Sequence, residues 1–315
     1  MASLDIVIVN WNAGEQLRRC LDSLAKTERG GFDLKRVVVV DNASSDGSAG
    51  GLDCRMFPLT IVGNSRNEGF AAACNRGASG SEADYLLFLN PDTELFAGSI
   101  SKPVAFMESP ENQRIGIAGI QLVDERGAVS RSCAAFPSLA RCISRALGLY
   151  QLWPRAFPSY IMQEWDHGAS REVDHVSGAF YLARRAVFET LGGFDERFFV
   201  YLEDLDFSYR TRLAGWKSYY LAEARAFHRG GGVSEQVKAE RLFYSTSSRI
   251  LYAFKHFKRI DAIALMLVTV ALEPPVRLCS AIAGGSTESA RATARGYALL
   301  YRALPRITRG MRVHE

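Results

Sequence analysis

The sequence predicts an α/β fold, a sheet covered by helices on both faces, followed by a helical extension. Short apolar runs alternate with segments of helical period between residues 4 and 228, the rhythm of β-α-β units. Polar clusters stand at the carboxyl ends of the first, second and fourth runs, the edge where open α/β sheets bind ligands. From Val237 onward strand signals fade and the chain turns helical and basic.

Taken in order, residues 4–9 (LDIVIV) form the first strand, and residues 14–27 place Leu17, Cys20, Leu21 and Leu24 at helical spacing. Residues 35–40 have the unbroken apolar character of a buried parallel strand and stop at the turn cluster Asp41-Asn42-Ala43-Ser44-Ser45-Asp46-Gly47. Residues 59–62 form a third strand and residues 68–78 a helix of small residues. Tyr85–Leu89 form a fourth strand, ending at Asn90-Pro91-Asp92. A helix is expected over residues 97–108 and a strand over 115–121. Residues 130–172, with Trp153, Trp165 and several prolines, read as a loop-rich insertion or lid. Strand and helix return over residues 173–228. Strands joined in this way are expected to run parallel.

A chain of 315 residues, 48% hydrophobic and 23% charged, is long enough for a large core, which excludes disordered, collagen-like and disulfide-stapled classes. The net charge of +4 hides an asymmetry: residues 1–224 carry 23 Lys/Arg against 28 Asp/Glu, residues 225–315 carry 15 against 6. The expected division is a catalytic region at 1–236 and a basic helical region at 237–315, each facing a different partner. The six cysteines, Cys20, Cys54, Cys74, Cys133, Cys142 and Cys279, include no CxxC pair and suit buried thiols in a reducing cytosol. The opening MASLDIVIVN reads as a strand rather than a signal peptide. The longest late apolar run, residues 262–272, ends at Glu273-Pro274-Pro275 and falls short of the roughly 18–20 residues of a membrane span.

Five constellations carry chemistry. Asn10-Trp11-Asn12 and Asp41-Asn42-Ala43-Ser44 follow adjacent strands; a carboxylate there can accept from an imide N–H and a ring can flank a base, although Asx residues also favour plain turns. The run Asn67 to Gly77, through Gly69 and Asn75, lets a helix approach a ligand with its N-terminal amides facing a diphosphate, or else packs as a core helix. Asn90-Pro91-Asp92-Thr93 puts a carboxylate on a stiff turn, suited to a divalent ion beside nucleotide phosphates or to a helix cap. The stretch Glu203-Asp204-Leu205-Asp206 crowds three carboxylates, which suits a cation or proton transfer, or an acidic helix start. On a helix, Glu203 and Asp206 share neighbouring faces and Asp204 points elsewhere, so the three should not share one role. His228 precedes Gly230-Gly231-Gly232 and is either a metal or phosphate ligand or a structural histidine.

In this order the segments VIVNWN, VVVDNASSDGS, NEGFAAACNRG, LFLNPDT, VSGAFYLARRAVFETLGGFDERFFVYLEDLDFSYRTRLAGW and AFHRGGG resemble the family 2 glycosyltransferases of GT-A fold, and among them the bacterial rhamnosyltransferase-like branch that builds cell-surface polysaccharides. The resemblance spans residues 4–235. It implies a Rossmann-like mixed sheet flanked by helices and an inverting, metal-dependent hexosyl transfer from a nucleotide-diphosphate sugar. It also implies residue roles. Asp41 would read the nucleobase, with Asn10, Asn12, Asn67, Asn75 and Asn90 on the donor, while Asp92 would hold Mg²⁺ or Mn²⁺ with His228. Gly178 and Ala179 would line the sugar pocket, Asp204 would be the base and Glu203 its partner, leaving Glu203 or Asp206 to bind hydroxyls or orient the base. Asn90 departs from the acidic first position of the family's metal motif. The Gln-X-X-Arg-Trp signature of processive synthases is absent, which points to transfer of one or a few sugars. The donor bet is dTDP-rhamnose and the acceptor a glycan or polyprenyl-linked glycan; a UDP-sugar donor, or a non-catalytic nucleotide- or glycan-binding module, are the alternatives. Sugar nucleotidyl transfer would need a Gly-rich basic loop where Trp11-Asn12-Ala13-Gly14 stands.

The tail sets Tyr244, Arg249, Lys255, His256, Lys258 and Arg259 just before the apolar run. Cations beside an apolar amphipathic segment suit an anionic membrane surface or a lipid-diphosphate acceptor; a helical cap or a homo-oligomer interface would use the same features. No nucleic-acid-binding module is recognisable. The expected location is the cytoplasm, peripheral on the inner face of the plasma membrane.

Overall fold

The computed structural model describes residues 1–27, 30–52, 56–230 and 237–310; Cys54 and residues 231–236 of the glycine loop lie outside them. The described chain falls into two compact units. Among the described residues, the first comprises those within 1–135, 161–196 and 203–230, and the second those within 136–160, 197–202 and 237–310.

In the first unit, β1 (Ala2–Asn10), β2 (Phe32–Asp41), β3 (Leu59–Gly63), β4 (Tyr85–Leu89), β5 (Thr93–Leu95), β6 (Ile115–Val123), β10 (Phe180–Arg184) and β11 (Lys217–His228) form one sheet in the order β3-β2-β1-β4-β10-β6-β11-β5, and β8 (Arg171–Val173) joins along β11. β7 (Cys133–Ala134) and β9 (His175–Val176) pair separately. The unbroken apolar runs bury both faces, because successive side chains alternate across a strand. Ile6, Ile8, Val37, Val39, Leu87 and Leu89 enter one core with Leu17, Leu21 and Leu24 of α1 (Glu15–Lys26) and Val104 and Met107 of α3 (Ser101–Glu108). Val7, Val9, Val38, Val40, Leu86 and Phe88 enter the other with Ala71, Ala73 and Cys74 of α2 (Phe70–Ala78), Val187 and Phe188 of α6 (Arg185–Thr190) and Phe207 of α7 (Glu203–Leu213). α2 lies so close to the sheet that a Cβ on Gly77 would stand 2.4 Å from Val7 Cγ1.

The sheet is mixed, as the resemblance implies, and the all-parallel expectation from the run pattern is corrected. β10 runs antiparallel to β4 and β6, and β5 and β8 run antiparallel to β11. A strand buried on both faces has the same apolar run whichever way it points. The helix expected from residue 97 begins at Ser101, because Thr93–Leu95 pair with β11 and Ser99 is held in a turn, its hydroxyl accepting from Phe96 N–H. The stretch read as loop-rich contains β7, β8 and two short helices, α4 (Leu139–Ala146) and α5 (Leu149–Leu152).

The second unit is helical. α8 (Lys238–His256) packs on α11 (Thr287–Gly310), and α9 (Arg259–Leu267) continues through a π turn (Val268–Leu272) into α10 (Glu273–Ala283). The expected stop at Glu273-Pro274-Pro275 does not occur. Both prolines sit in the first turn of α10, where a missing N–H is tolerated, and the Val270 carbonyl that Pro274 cannot serve accepts the Tyr301 hydroxyl at 2.7 Å. The continuous helix Arg259–Ala283 is long and apolar enough to cross a membrane by length and composition alone.

Candidate active site

The topology gathers the polar clusters on one edge. β1, β2 and β4 are parallel, so Asn10, Asp41 and Asn90 leave the sheet together. β10 pairs Phe180 with Leu89 antiparallel, which brings Gly178 and Ala179 beside the end of β4. β11 is parallel to β6 and ends by pairing His228 with Thr93, which returns the histidine to the same edge.

Around Asp41 the loops brace one another. Asn10, fully buried, donates through Nδ2 to Asp41 Oδ1 (2.8 Å), Ser44 Oγ (3.0 Å) and Ser48 Oγ (2.9 Å). Asn12 accepts from Ser45 N–H at 2.7 Å. Asn12 and Ala43 take left-handed backbone (φ 51° and 59°), which non-glycine residues adopt at a cost of about 1–3 kcal/mol. Asn10 and Asn12 therefore hold the Asp41 loop in shape. Asn67 accepts from Gly69 N–H at 3.0 Å at the start of α2. Asn75 ties α2 to the loop after α6, donating to Phe194 O (2.8 Å) and Glu196 Oε1 (3.0 Å) and accepting from Phe194 N–H (2.9 Å).

At the end of β4, Asp92 Oδ1 faces His228 Nε2 at 3.3 Å, both side chains mostly buried. Asn90 donates its backbone N–H to Ala179 O at 3.0 Å, and the Thr93 hydroxyl donates to the same carbonyl at 3.3 Å. A cavity of about 40 Å³ beside Asp92 is lined by Arg19, Glu94, Glu125 and Arg229 among others.

The neighbouring residue Gly178 donates its N–H to Asp204 Oδ2 at 2.9 Å, and Leu205 N–H donates to Asp204 Oδ1 at 2.8 Å. A Cβ at position 178 would stand 2.7 Å from Asp204 Oδ2, so the clamp requires glycine. The Asp204 side chain remains 19% exposed, enough to meet a substrate. The three crowded carboxylates take separate roles, as the helical spacing predicts. Glu203 is buried with Oε2 unpartnered among the described residues, and burial, with Asp204 nearby, pushes its carboxyl well above the usual range. Asp206 is fully buried and paired with Arg210 at 2.8 Å, so the hydroxyl-binding or base-orienting role expected of it is corrected to a structural one. Arg210 also donates to Leu191 O and Gly193 O.

The sequence reading missed one group. His175 Nε2 lies 3.6 Å from Asp204 Oδ2, and its Nδ1 lies 3.0 Å from Ser208 Oγ, which Tyr181 OH meets at 2.8 Å. Burial pushes the imidazole below its usual value against the pull of Asp204, so a neutral ring backs the carboxylate. Ser208, four residues after Asp204, was the available signal, since helical spacing stacks those positions.

Known proteins resemble this chain in sequence and in fold. The family described as "Glycosyl transferase family 2" matches residues 5–191. The N-acetylglucosaminyl-diphospho-decaprenol L-rhamnosyltransferase of Mycobacterium tuberculosis is 33% identical over 239 residues, 71% of this chain and 75% of that protein. The rhamnosyltransferase WbbL of Escherichia coli is 30% identical over 47% of this chain and 53% of its own length. Two solved structures share the GT-A fold at low identity. The mannosyltransferase PcManGT from Pyrobaculum calidifontis, in complex with GDP-Man and Mn²⁺, has a TM-score of 0.54 at 17% identity and covers 98% of this chain and 84% of its own. GalNAc-T7 with UDP, GalNAc and Mn²⁺ has 0.58 at 16% and covers 80% and 48%. A family match over residues 5–191 and a rhamnosyltransferase 33% identical over 71% of the chain place this protein in glycosyl transferase family 2, similar to its rhamnosyltransferases.

Proposed function

We propose that this chain moves a hexose, rhamnose from dTDP-rhamnose, to a hydroxyl of a glycan or polyprenyl-linked glycan acceptor with inversion, in a metal-dependent reaction at the cytoplasmic face of the membrane. The observation that carries it is the Asp204 carboxylate, fixed by two backbone N–H groups yet partly exposed, whose partner Gly178 adjoins Ala179, the residue whose carbonyl holds the Asp92 loop. The names of the mycobacterial and Escherichia coli relatives support rhamnose, and the first supports a lipid-diphosphate-linked acceptor. The cytosolic location is supported by the free thiols of Cys20, Cys74, Cys133, Cys142 and Cys279.

Asp92 and His228 fit a divalent ion. One carboxylate oxygen and one imidazole nitrogen converge, and no group of three candidate ligands occurs among the described residues, so diphosphate oxygens would complete the shell. Bound there, Mg²⁺ or Mn²⁺ supplies charge neutralisation to the leaving diphosphate. The loops braced by Asn10 and Asn12 present Asp41 to the nucleobase. Asp204 accepts the proton of the acceptor hydroxyl as that oxygen bonds to the anomeric carbon and the bond to the diphosphate breaks. A single displacement of this kind inverts the anomeric centre. Gly178 N–H and the neutral His175 ring keep Asp204 aimed, and buried Glu203 holds its proton beside it.

The test is turnover of Asp204→Asn with a panel of nucleotide sugars and NMR of the product's anomeric centre. A fall in kcat of about 10²-fold or more is expected from the size of general base catalysis. Near-normal turnover would remove Asp204 as base, and a retained configuration would remove single displacement.

A further inference from the structure

We propose that the exposed face of the helix Arg259–Ala283 lies in the interface of an anionic phospholipid bilayer, with Lys258, Arg259 and Arg302 on the headgroups. This inference goes beyond the proposed reaction and stands whichever donor or acceptor the enzyme uses.

The face is built residue by residue. The most exposed residues from 260 to 283 are uncharged, Ile260, Ile263, Leu267, Leu272, Val276 and Ile282 among them; Asp261 is half-buried, and the Arg277 side chain, 42% exposed, is engaged by Glu273. Ile260 is 74% exposed, Leu267 54%, Leu272 52% and Ile282 69%, values at which a soluble helix ordinarily shows charge. The π turn inserts the extra residue that carries the stripe from Leu267 to Leu272 on the same side. The opposite side is already committed. Ala262 and Leu265 pack with Cys142 and Ala253, and the fully buried Glu273 is ion-paired with Arg249 and, at 2.7 Å, with Arg277.

Charge decides between occupants. Residues 258–310 hold eight Lys/Arg and three Asp/Glu, one of which is the buried Glu273. Lys258 and Arg259 are exposed at the head of the stripe, and Tyr301, whose hydroxyl reaches Val270 O, is followed in sequence by exposed Arg302. A second copy would set the same cations against each other, whereas an anionic headgroup layer complements them. Spanning the bilayer would expose the Glu273–Arg249 pair to hydrocarbon, so the helix lies in the interface with its apolar side inward.

The test is co-sedimentation of the full chain with vesicles of phosphatidylcholine alone and of phosphatidylcholine with phosphatidylglycerol. The expected result is binding to the anionic vesicles only, released by a carbonate wash. Leu267→Glu with Leu272→Glu, both at exposed positions, should lower that binding about 10-fold or more. As a second variant, Lys258→Gln with Arg259→Gln and Arg302→Gln should lower it about 10-fold and abolish its salt sensitivity. Turnover on a water-soluble acceptor should stay at the wild-type level in both, which keeps a folding defect apart from lost docking. Equal binding to both vesicle types, carbonate-resistant insertion, no vesicle binding, or a dimer by sedimentation velocity that the Glu substitutions dissolve would each overturn the proposal.

Discussion

Replacing Gly178 by alanine tests the clamp on Asp204 with a single methyl group. The new Cβ would start 2.7 Å from Asp204 Oδ2, and ordinary contact begins near 3.4 Å, so the carboxylate must retreat by about 0.7 Å. Retreat is constrained. Oδ1 is held by Leu205 N–H at 2.8 Å, and the His175 ring stands 3.6 Å behind Oδ2. The Gly178 N–H bond of 2.9 Å therefore stretches beyond useful range. A displacement of that order at a reacting group costs about 10²-fold in rate, while overpacking at one methyl costs about 1–3 kcal/mol of stability. The assay is steady-state release of nucleotide diphosphate, with the melting temperature measured alongside. The expected result is kcat lowered about 10²-fold with donor KM nearly unchanged and the fold intact. Turnover within about threefold of wild type would refute the idea that glycine is required to aim the base.

Two further outcomes follow from the site. Glu203 has a folded carboxyl pKa above its usual 4.5, so between that value and the raised one the folded state holds a proton that the unfolded state has released. Its stabilising contribution is complete below the unfolded value and is lost as pH rises through the folded one; Glu203→Gln should flatten the fall of melting temperature over that window, and unchanged slopes would exclude a titrating Glu203. His228→Asn should raise the Mn²⁺ concentration for half-maximal activity by about 10-fold or more, by loss of one of the two ligands proposed above; an unchanged requirement would exclude His228 from the proposed metal site.

Much of the fold could be read from residues alone, and particular elements show why the rest could not. The run Val37–Val40 is legible because burial on both faces removes any polar alternation. The same uniformity hides direction, so nothing in Phe180–Arg184 announces an antiparallel strand. The pairing of Asp92 with His228 depends on β5, three residues long and without periodic signal. The clamp joins Gly178 to Asp204 across 26 positions, and His175, between Asp174 and Val176, has no local partner in sequence to mark it. The asymmetric charge is legible in composition, but the continuation of the apolar helix past two prolines is not, since the Val270 carbonyl finds its partner in Tyr301, 31 positions away.

The segment from Gly178 to Ala179 is two residues long, yet the Ala179 carbonyl receives Asn90 N–H and the Thr93 hydroxyl while the Gly178 amide holds Asp204. The loop that carries Asp92 and the Asp204 carboxylate are thus tied to the same short segment. The two contacts are joined through the backbone of Gly178 and Ala179 alone. Changes at Thr93 and Asp204 should consequently fail to add, because both act on the placement of one two-residue segment.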